Sequence, residues 1–262
     1  MNRRTNQAML SAAAVLLFIG LFLFRCIGTL PDISVLQPIA DGEAAVPIRN
    51  LNGALIYEYH SPTYGTKVQV PLSRISDALI AVTIATEDRT FFTNPGFSLR
   101  AIIRAFASNL MLRQTYSGAS TITQQVVKNI LLSPEERYER SLSRKAKEIL
   151  LAAAVTLRYD KETILSLYLN EIYYGRNATG AEQASLTYFN KHASELSLEE
   201  AAFIAGLPQA PNYYGNDPEA GQTRQREVLW YTDRFLRKDG CIPVSGGKNP
   251  RLYCTQDNAE NR

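Results

Sequence analysis

The sequence predicts a mainly α domain with a small β-hairpin element and an N-terminal transmembrane helix. Three observations predict it: an uncharged apolar run near the start, a stretch that alternates apolar and polar residues about an Asn-Gly turn, and apolar residues at three and four spacings from Ser76 onward. A chain of 262 residues can hold one sizeable domain with a full core. A net charge of +3 gives no argument for a nucleic-acid partner, although a local basic cluster could still bind an anion.

The elements follow in order. "AMLSAAAVLLFIGLFLF" (Ala8 to Phe24) carries no charge, follows Arg3 and Arg4, and is closed by Arg25. Its length reaches the low end of the roughly 17–25 residues that cross a bilayer, and no small-residue cleavage site follows in "RCIGTLPD". Residues 8–24 therefore read as an uncleaved anchor, with residues 1–7 cytoplasmic and the bulk of the chain outside. Residues 25–75 read as a linker with Pro31, Pro38 and Gly42, then a hairpin or meander from Val46 to Leu72 that turns at Asn52-Gly53 and again near Pro62 to Gly65.

Residues 76–240 form the main domain. Helical spacing runs through Asp77 to Glu87, Leu99 to Arg113, Thr121 to Leu132, Arg140 to Leu157, Lys161 to Tyr173, Gly180 to Phe189 and Ser197 to Leu207, with Pro or Gly between most of them. Residues 241–262 are a tail in which Cys241 and Cys254 could form a local disulfide in an oxidising compartment, while Cys26 has no obvious partner. No metal site is indicated, because His60 and His192 lie far from the cysteines and no Cys-x-x-Cys pair occurs.

Three stretches carry chemistry. In "ATEDRTFFTNPGF", Glu87 follows an apolar run and precedes Phe91-Phe92, so it stands near an apolar wall where desolvation would raise its pKa toward the range of a general base. Asp88 adjoins it, and the chain then turns through Asn94-Pro95-Gly96. In "SGASTITQQVVKN", Thr121 and Gln124 form a capping box, and Ser120, Gln125 and Lys128 return roughly to one helix face. Hydroxyl, amide and ammonium donors near a helix N-terminus suit an anionic ligand, a phosphate above all. In "RYERSLSRKAKEIL", Arg140, Arg144 and Lys147 share one stripe, with Lys145 and Glu148 on the next. That run reads either as a solvated face, its Arg144–Glu148 pair worth ~0.3–0.5 kcal/mol, or as a cationic cradle holding one carboxylate. A base, phosphate donors and a basic stripe together make a constellation for group transfer from a phosphorylated donor to a hydroxyl.

The stretches "EDRTFFTNPGF", "GASTITQQVVKN", "RKAKE", "KETILSLYLNEIYYG" and "LSLEEAAFIAGLPQAP" resemble, in order and spacing, the five motifs of the family 51 peptidoglycan glycosyltransferases. That domain occurs in class A penicillin-binding proteins and in monofunctional membrane-anchored transglycosylases, and the likeness runs from about Pro71 to Tyr214. It implies a lysozyme-like glycosyltransferase domain on the outer side of the bacterial cytoplasmic membrane. It also implies lipid II, the growing glycan strand and membrane lipid as partners, with the cell-wall synthesis machinery beside them.

By that resemblance Glu87 is the general base, and Glu148 is the second carboxylate, assigned to donor positioning or the pyrophosphate region. Asp88, Asn94, Ser120, Thr121, Gln124, Gln125 and Lys128 fall on motif positions around the donor, and Arg140, Arg144 and Lys145 on pyrophosphate-binding cations. No cofactor is required by the sequence, though Mg²⁺ or Mn²⁺ could neutralise the pyrophosphate. The chain departs from the family pattern at Asn94, where the family has His, and at Ser117, where a basic residue is common.

Two other readings compete: a lytic transglycosylase, and a non-catalytic or weakly active lipid II binding or scaffold protein. The cations at Lys128, Arg140 and Lys145 argue against the first, since a glycan strand offers no diphosphate. Retention of both Glu87 and Glu148 argues against the second. A transpeptidase domain is not indicated, because "SGGK" (Ser245 to Lys248) stands alone without its companion signatures. Apolar residues within Ile102 to Leu112 read either as a core helix or as a face that dips into the bilayer.

Overall fold

A computed structural model of the chain describes residues 30–37, 46–49, 55–59, 68–103, 120–139, 141–246 and 250–254. The expected anchor over 8–24, the turn near Pro62 to Gly65, most of the Ile102 to Leu112 stretch and Arg140 lie outside the described residues. Among the described residues no helix is long and apolar enough to cross a membrane.

The described fold is mainly helical with two small antiparallel sheets. Strand β1 (Val46–Arg49) pairs antiparallel with β2 (Leu55–Tyr59), as the alternation predicts, while the expected turn at Asn52-Gly53 lies outside the described residues. Helix α1 (Asp77–Glu87) is capped by Ser76, whose hydroxyl accepts from the Leu79 amide, and every residue from Leu79 to Ala85 is buried. A helix apolar on all sides must be covered on all sides. Helix α1 accordingly forms the centre of the core, packed by α7 (Leu198–Gly206) and α9 (Pro218–Asp239).

Past α1 the chain folds back through Asn94-Pro95-Gly96. Gly96 has φ +94°, and a Cβ there would lie 2.3 Å from the Ala152 carbonyl oxygen, so both conformation and space demand glycine. Helix α2 (Ile122–Val126) begins with the expected capping box, Thr121 accepting from the Gln124 amide while Gln124 Oε1 accepts from the Thr121 amide. The sequence predicts one α-helix to Leu132, but the chain widens into a π-turn over Val127–Leu131, closed by the Leu132 amide on the Val127 carbonyl. Turns of this kind gather at functional sites because they re-aim side chains within a helix.

Helix α3 (Pro134–Tyr138) is a short connector with its own capping box at Ser133 and Glu136. Helix α4 (Leu142–Arg158) starts two residues later than its periodicity suggests, because Ser141 caps it by accepting from the Arg144 amide. Its buried stripe is Glu148, Leu151, Ala152 and Val155. Helix α5 (Lys161–Glu171), capped by Asp160, packs on α2. Helix α6 (Ala181–Phe189) ends at Asn190 in the left-handed conformation, and α8 (Pro211–Asn216) leads into α9.

Helix α9 is the main element that the sequence reading passes over. Its charged surface hides a buried stripe of Val228, Thr232, Phe235 and Leu236, and Asp217 caps it ahead of Pro218. The described part of the tail forms regular structure that its composition does not suggest. Strands β3 (Cys241–Pro243) and β4 (Leu252–Cys254) pair with Cys241 opposite Cys254, and the two cysteines are disulfide-bonded. This hairpin packs against α1 and α9, and Arg251 ties it to Asp77 at the start of α1 with an ion pair of 3.0 Å.

Candidate active site

Glu87 is the last residue of α1, where a buried helix emerges at a cleft. The cleft measures about 560 Å³, and Glu87, Glu148, Ser120, Gln124, Gln125 and Lys128 all line it. The Gln125 side-chain amide donates to Glu87 Oε2 at 2.6 Å. Burial holds the Glu87 carboxyl above the ordinary carboxylate range, and the Gln125 hydrogen bond and the Arg224 guanidinium draw it partly back. A carboxylate so placed is more basic than an exposed one, and the Gln125 bond holds it in one orientation.

Glu148 faces the same cleft from α4 and is 2% exposed. Arg144 donates to its Oε2 at 2.7 Å and Lys145 to its Oε1 at 2.5 Å. Lys145 reaches further, donating to the Ser120 hydroxyl at 2.9 Å, so the acid, the lysine and the hydroxyl are linked across two segments. Of the two readings left open by the basic run, the structure shows the cradle: one buried carboxylate held by two cations. Lys147 turns away and pairs with Glu136 at 2.8 Å.

Lys128 projects from the π-turn as an exposed ammonium on the cleft rim. Gln124 spends its carbonyl on the capping box, and its Nε2 has no partner among the described residues. Asp88, Asn94 and Thr121 are buried and do not line the cleft. Behind its wall Asn94 Nδ2 donates to both Asp88 oxygens at 2.9 Å, and Thr121 Oγ1 donates to the carbonyl of Gly96, two residues past Asn94, at 2.6 Å. The reason is local. The 88–96 turn reverses the chain directly beneath the N-terminus of α2, which places their polar groups against each other.

Two cations at the cleft escaped the sequence reading. Arg137 comes from α3, its Nε donating to the Leu132 carbonyl at 2.9 Å. Arg224 comes from α9, its Nε donating to the Gly206 carbonyl at 3.4 Å and its guanidinium pairing with Glu227 at 3.0 Å. Arg224 could have been found had α9 been read as a helix. Among the described residues no group of three His, Cys, Asp or Glu is placed to hold a metal ion.

A desolvated carboxylate, a cation-bound carboxylate and three further cations, Lys128, Arg137 and Arg224, thus face one cleft in a helical body, a lining suited to an anionic ligand. Comparison with known proteins gives the family. Residues 52–232 match the family described as Transglycosylase. The chain is 38% identical over 87% of its length to penicillin-binding protein 1A of Rickettsia prowazekii (strain Madrid E), covering 29% of that protein. It is 38% identical over 82% of its length to penicillin-binding protein 1A of Aquifex aeolicus (strain VF5), covering 29% of it. It is 40% identical over 68% of its length to penicillin-binding protein 1B of Escherichia coli (strain K12), covering 21% of it. The chain thus spans less than a third of the length of these relatives. It belongs to the transglycosylase family, the peptidoglycan glycosyltransferases.

Proposed function

We propose that this chain polymerises lipid II into glycan strands by inverting glycosyl transfer. The observation that carries the reading is the state of Glu87: buried enough to be a strong carboxylate base, open to the cleft, and oriented by Gln125. Glu87 takes the proton from the 4-hydroxyl of the acceptor GlcNAc as that oxygen forms its bond to C1 of the donor MurNAc. The C1–O bond to the undecaprenyl pyrophosphate breaks on the opposite face, and its electron pair leaves with the pyrophosphate.

That leaving group needs positive charge more than it needs a proton. Lys128, Arg137 and Arg224 line the cleft, and Arg144 and Lys145 stand at its edge around Glu148. Glu148 fixes those two cations in place and so sets where the pyrophosphate lies. Asp88, Asn94 and Thr121 serve by holding the cleft wall. A divalent cation, Mg²⁺ or Mn²⁺, would add to the same charge neutralisation. Residues 8–24 anchor the chain in the cytoplasmic membrane with the cleft on the outer side.

The test is incubation of the purified full chain with labelled lipid II. The proposal expects glycan polymer and released undecaprenyl pyrophosphate. Shortening of preformed glycan would point instead to a lytic enzyme, and lipid II binding without polymer to a scaffold.

A further inference from the structure

Lys161, the first residue of α5, takes no place in the chemistry above, yet its side chain is half-buried directly behind the catalytic wall. Its ammonium donates to Asn94 Oδ1 at 3.1 Å and lies 4.8 Å from the centre of the Phe91 ring. Asn94 uses both ends of its amide. Oδ1 receives Lys161 and also the Gly96 amide at 2.9 Å, while Nδ2 donates to both oxygens of Asp88 at 2.9 Å. The Asp88 carboxylate then accepts from the Ile122 amide at 3.3 Å. Ile122 opens α2, the helix that carries Gln125 against Glu87.

The orientation of this relay is dictated by charge. Turning the Asn94 amide over would set its oxygen against two carboxylate oxygens and its NH₂ against an ammonium and a backbone N–H. Lys161 on one side and Asp88 on the other therefore permit a single arrangement. Three segments, the 88–96 turn, the start of α2 and the start of α5, are locked through it.

We propose that Lys161 is a positioning residue for glycosyl transfer. Acting through Asn94 and Asp88, it fixes the start of α2 and thereby the Gln125 amide on the Glu87 base. The proposal rests on the polymerase reading for its kinetic consequence, while the mechanical link stands on the hydrogen bonds alone. Asp88 is the charged group set against Lys161 by the packed segments, and Phe91 and Asn94 are its other neighbours. Burial lowers the Lys161 ammonium to about 8, with the Asp88 charge opposing that shift. The latch then loosens as pH rises through that value, because the neutral amine loses its attraction to the Asp88 carboxylate.

The experiment compares the full-length wild type with Lys161→Arg and Lys161→Met. Three readouts are taken: kcat and KM for lipid II from pH 6 to 10, the ¹⁵N side-chain amide signal of Gln125, and the ¹³C carboxyl titration of Glu87. Lys161→Met is expected to lower kcat at pH 7 by about tenfold or more with KM within about twofold, since small misplacements of catalytic groups cost that much. It should also shift the Gln125 amide signal and the Glu87 titration. Lys161→Arg is expected to keep most of kcat and to carry the alkaline limb well above the wild-type position, because guanidinium does not titrate in this range. If Lys161→Met does not fold, the pH profile of Lys161→Arg decides alone.

An alkaline limb that does not move in Lys161→Arg overturns the proposal. So does a Gln125 amide signal that stays in place in a folded Lys161→Met. If the wild type makes no polymer, the polymerase reading is what has failed. The two spectroscopic readouts then still decide the latch: a shift in both supports it, and no shift overturns it.

Discussion

Gln125 and Glu87 meet across 38 residues of sequence, the amide nitrogen 2.6 Å from the carboxylate oxygen. Neither residue makes a base alone. Burial raises the Glu87 carboxyl and favours its protonated form, whereas an exposed carboxylate would be a weaker proton acceptor. The hydrogen bond favours the charged form and offsets part of the desolvation.

Removing that bond should move the base, and the direction follows. Gln125→Met deprives the charged carboxylate of its donor, so the Glu87 pKa rises further and the acid limb of kcat/KM shifts to higher pH. On the acid limb the rate should fall by about tenfold or more and recover as pH increases. A pH–rate profile checks this, and an acid limb that stays put or moves down is the contrary result.

The same desolvation costs stability. Because the folded-state pKa of Glu87 lies above its ordinary value of 4.5, the folded protein binds this proton more tightly than the unfolded chain. Stability from this group is complete below pH 4.5 and is lost as pH rises through the folded pKa. Glu87→Gln carries no charge to desolvate. At pH 8 it should be more stable than wild type by about 1 kcal/mol, a gain of the size found where function strains a site. Urea unfolding followed by the fluorescence of Trp230, the single tryptophan, measures it, and a loss of stability contradicts the account.

Glu148 separates two readings that spacing could not. A solvated surface pair would be worth less than about 0.5 kcal/mol. A carboxylate at 2% exposure shared by Arg144 and Lys145 leaves two cations without their acid when removed, which should cost about 1–3 kcal/mol. Glu148→Ala in the same urea titration decides the point, and lipid II binding should weaken with it because the cations lose their fixed positions.

The disulfide clasps a hairpin laid over the helix that ends in Glu87. Cys241 and Cys254 are 13 residues apart, and closing a loop of that size contributes about 3 kcal/mol in the chain-entropy account. The variant Cys254→Ser should lower the urea midpoint accordingly, with kcat changed far less than stability, since no tail residue lines the cleft among the described residues. An unchanged midpoint would show that the hairpin holds without its bond.

Much of this was legible in the sequence because the signals were local. The pairing of β1 with β2 showed in the alternation of apolar and polar residues, α1 in its unbroken apolar run, and the start of α2 in the Thr121–Gln124 capping box. Glu87 and Glu148 stood out by the residues beside them. What stayed hidden was long-range or irregular. The Gln125–Glu87 contact needs the fold to bring α2 to the end of α1. An α-helix and a π-turn over "VVKNILL" share the same composition, so the widening that presents Lys128 carries no periodic mark. Helix α9 was masked by its charges, and with it Arg224, although Asp217-Pro218 is a helix start and Val228, Thr232, Phe235 and Leu236 keep helical spacing. Asp88, Asn94 and Thr121 were expected around the donor because they fall on the family's motif positions. Only the reversal at Gly96 turns them to the back of the wall.

The proposed reaction turns on Glu87 as the base. Its most direct test is the rate of glycan formation from labelled lipid II by wild type and Glu87→Gln at equal lipid II occupancy. Glu87→Gln should lose about 10²–10⁴-fold in kcat with lipid II affinity within about threefold. Polymer formed by Glu87→Gln at more than about a tenth of the wild-type rate would contradict it.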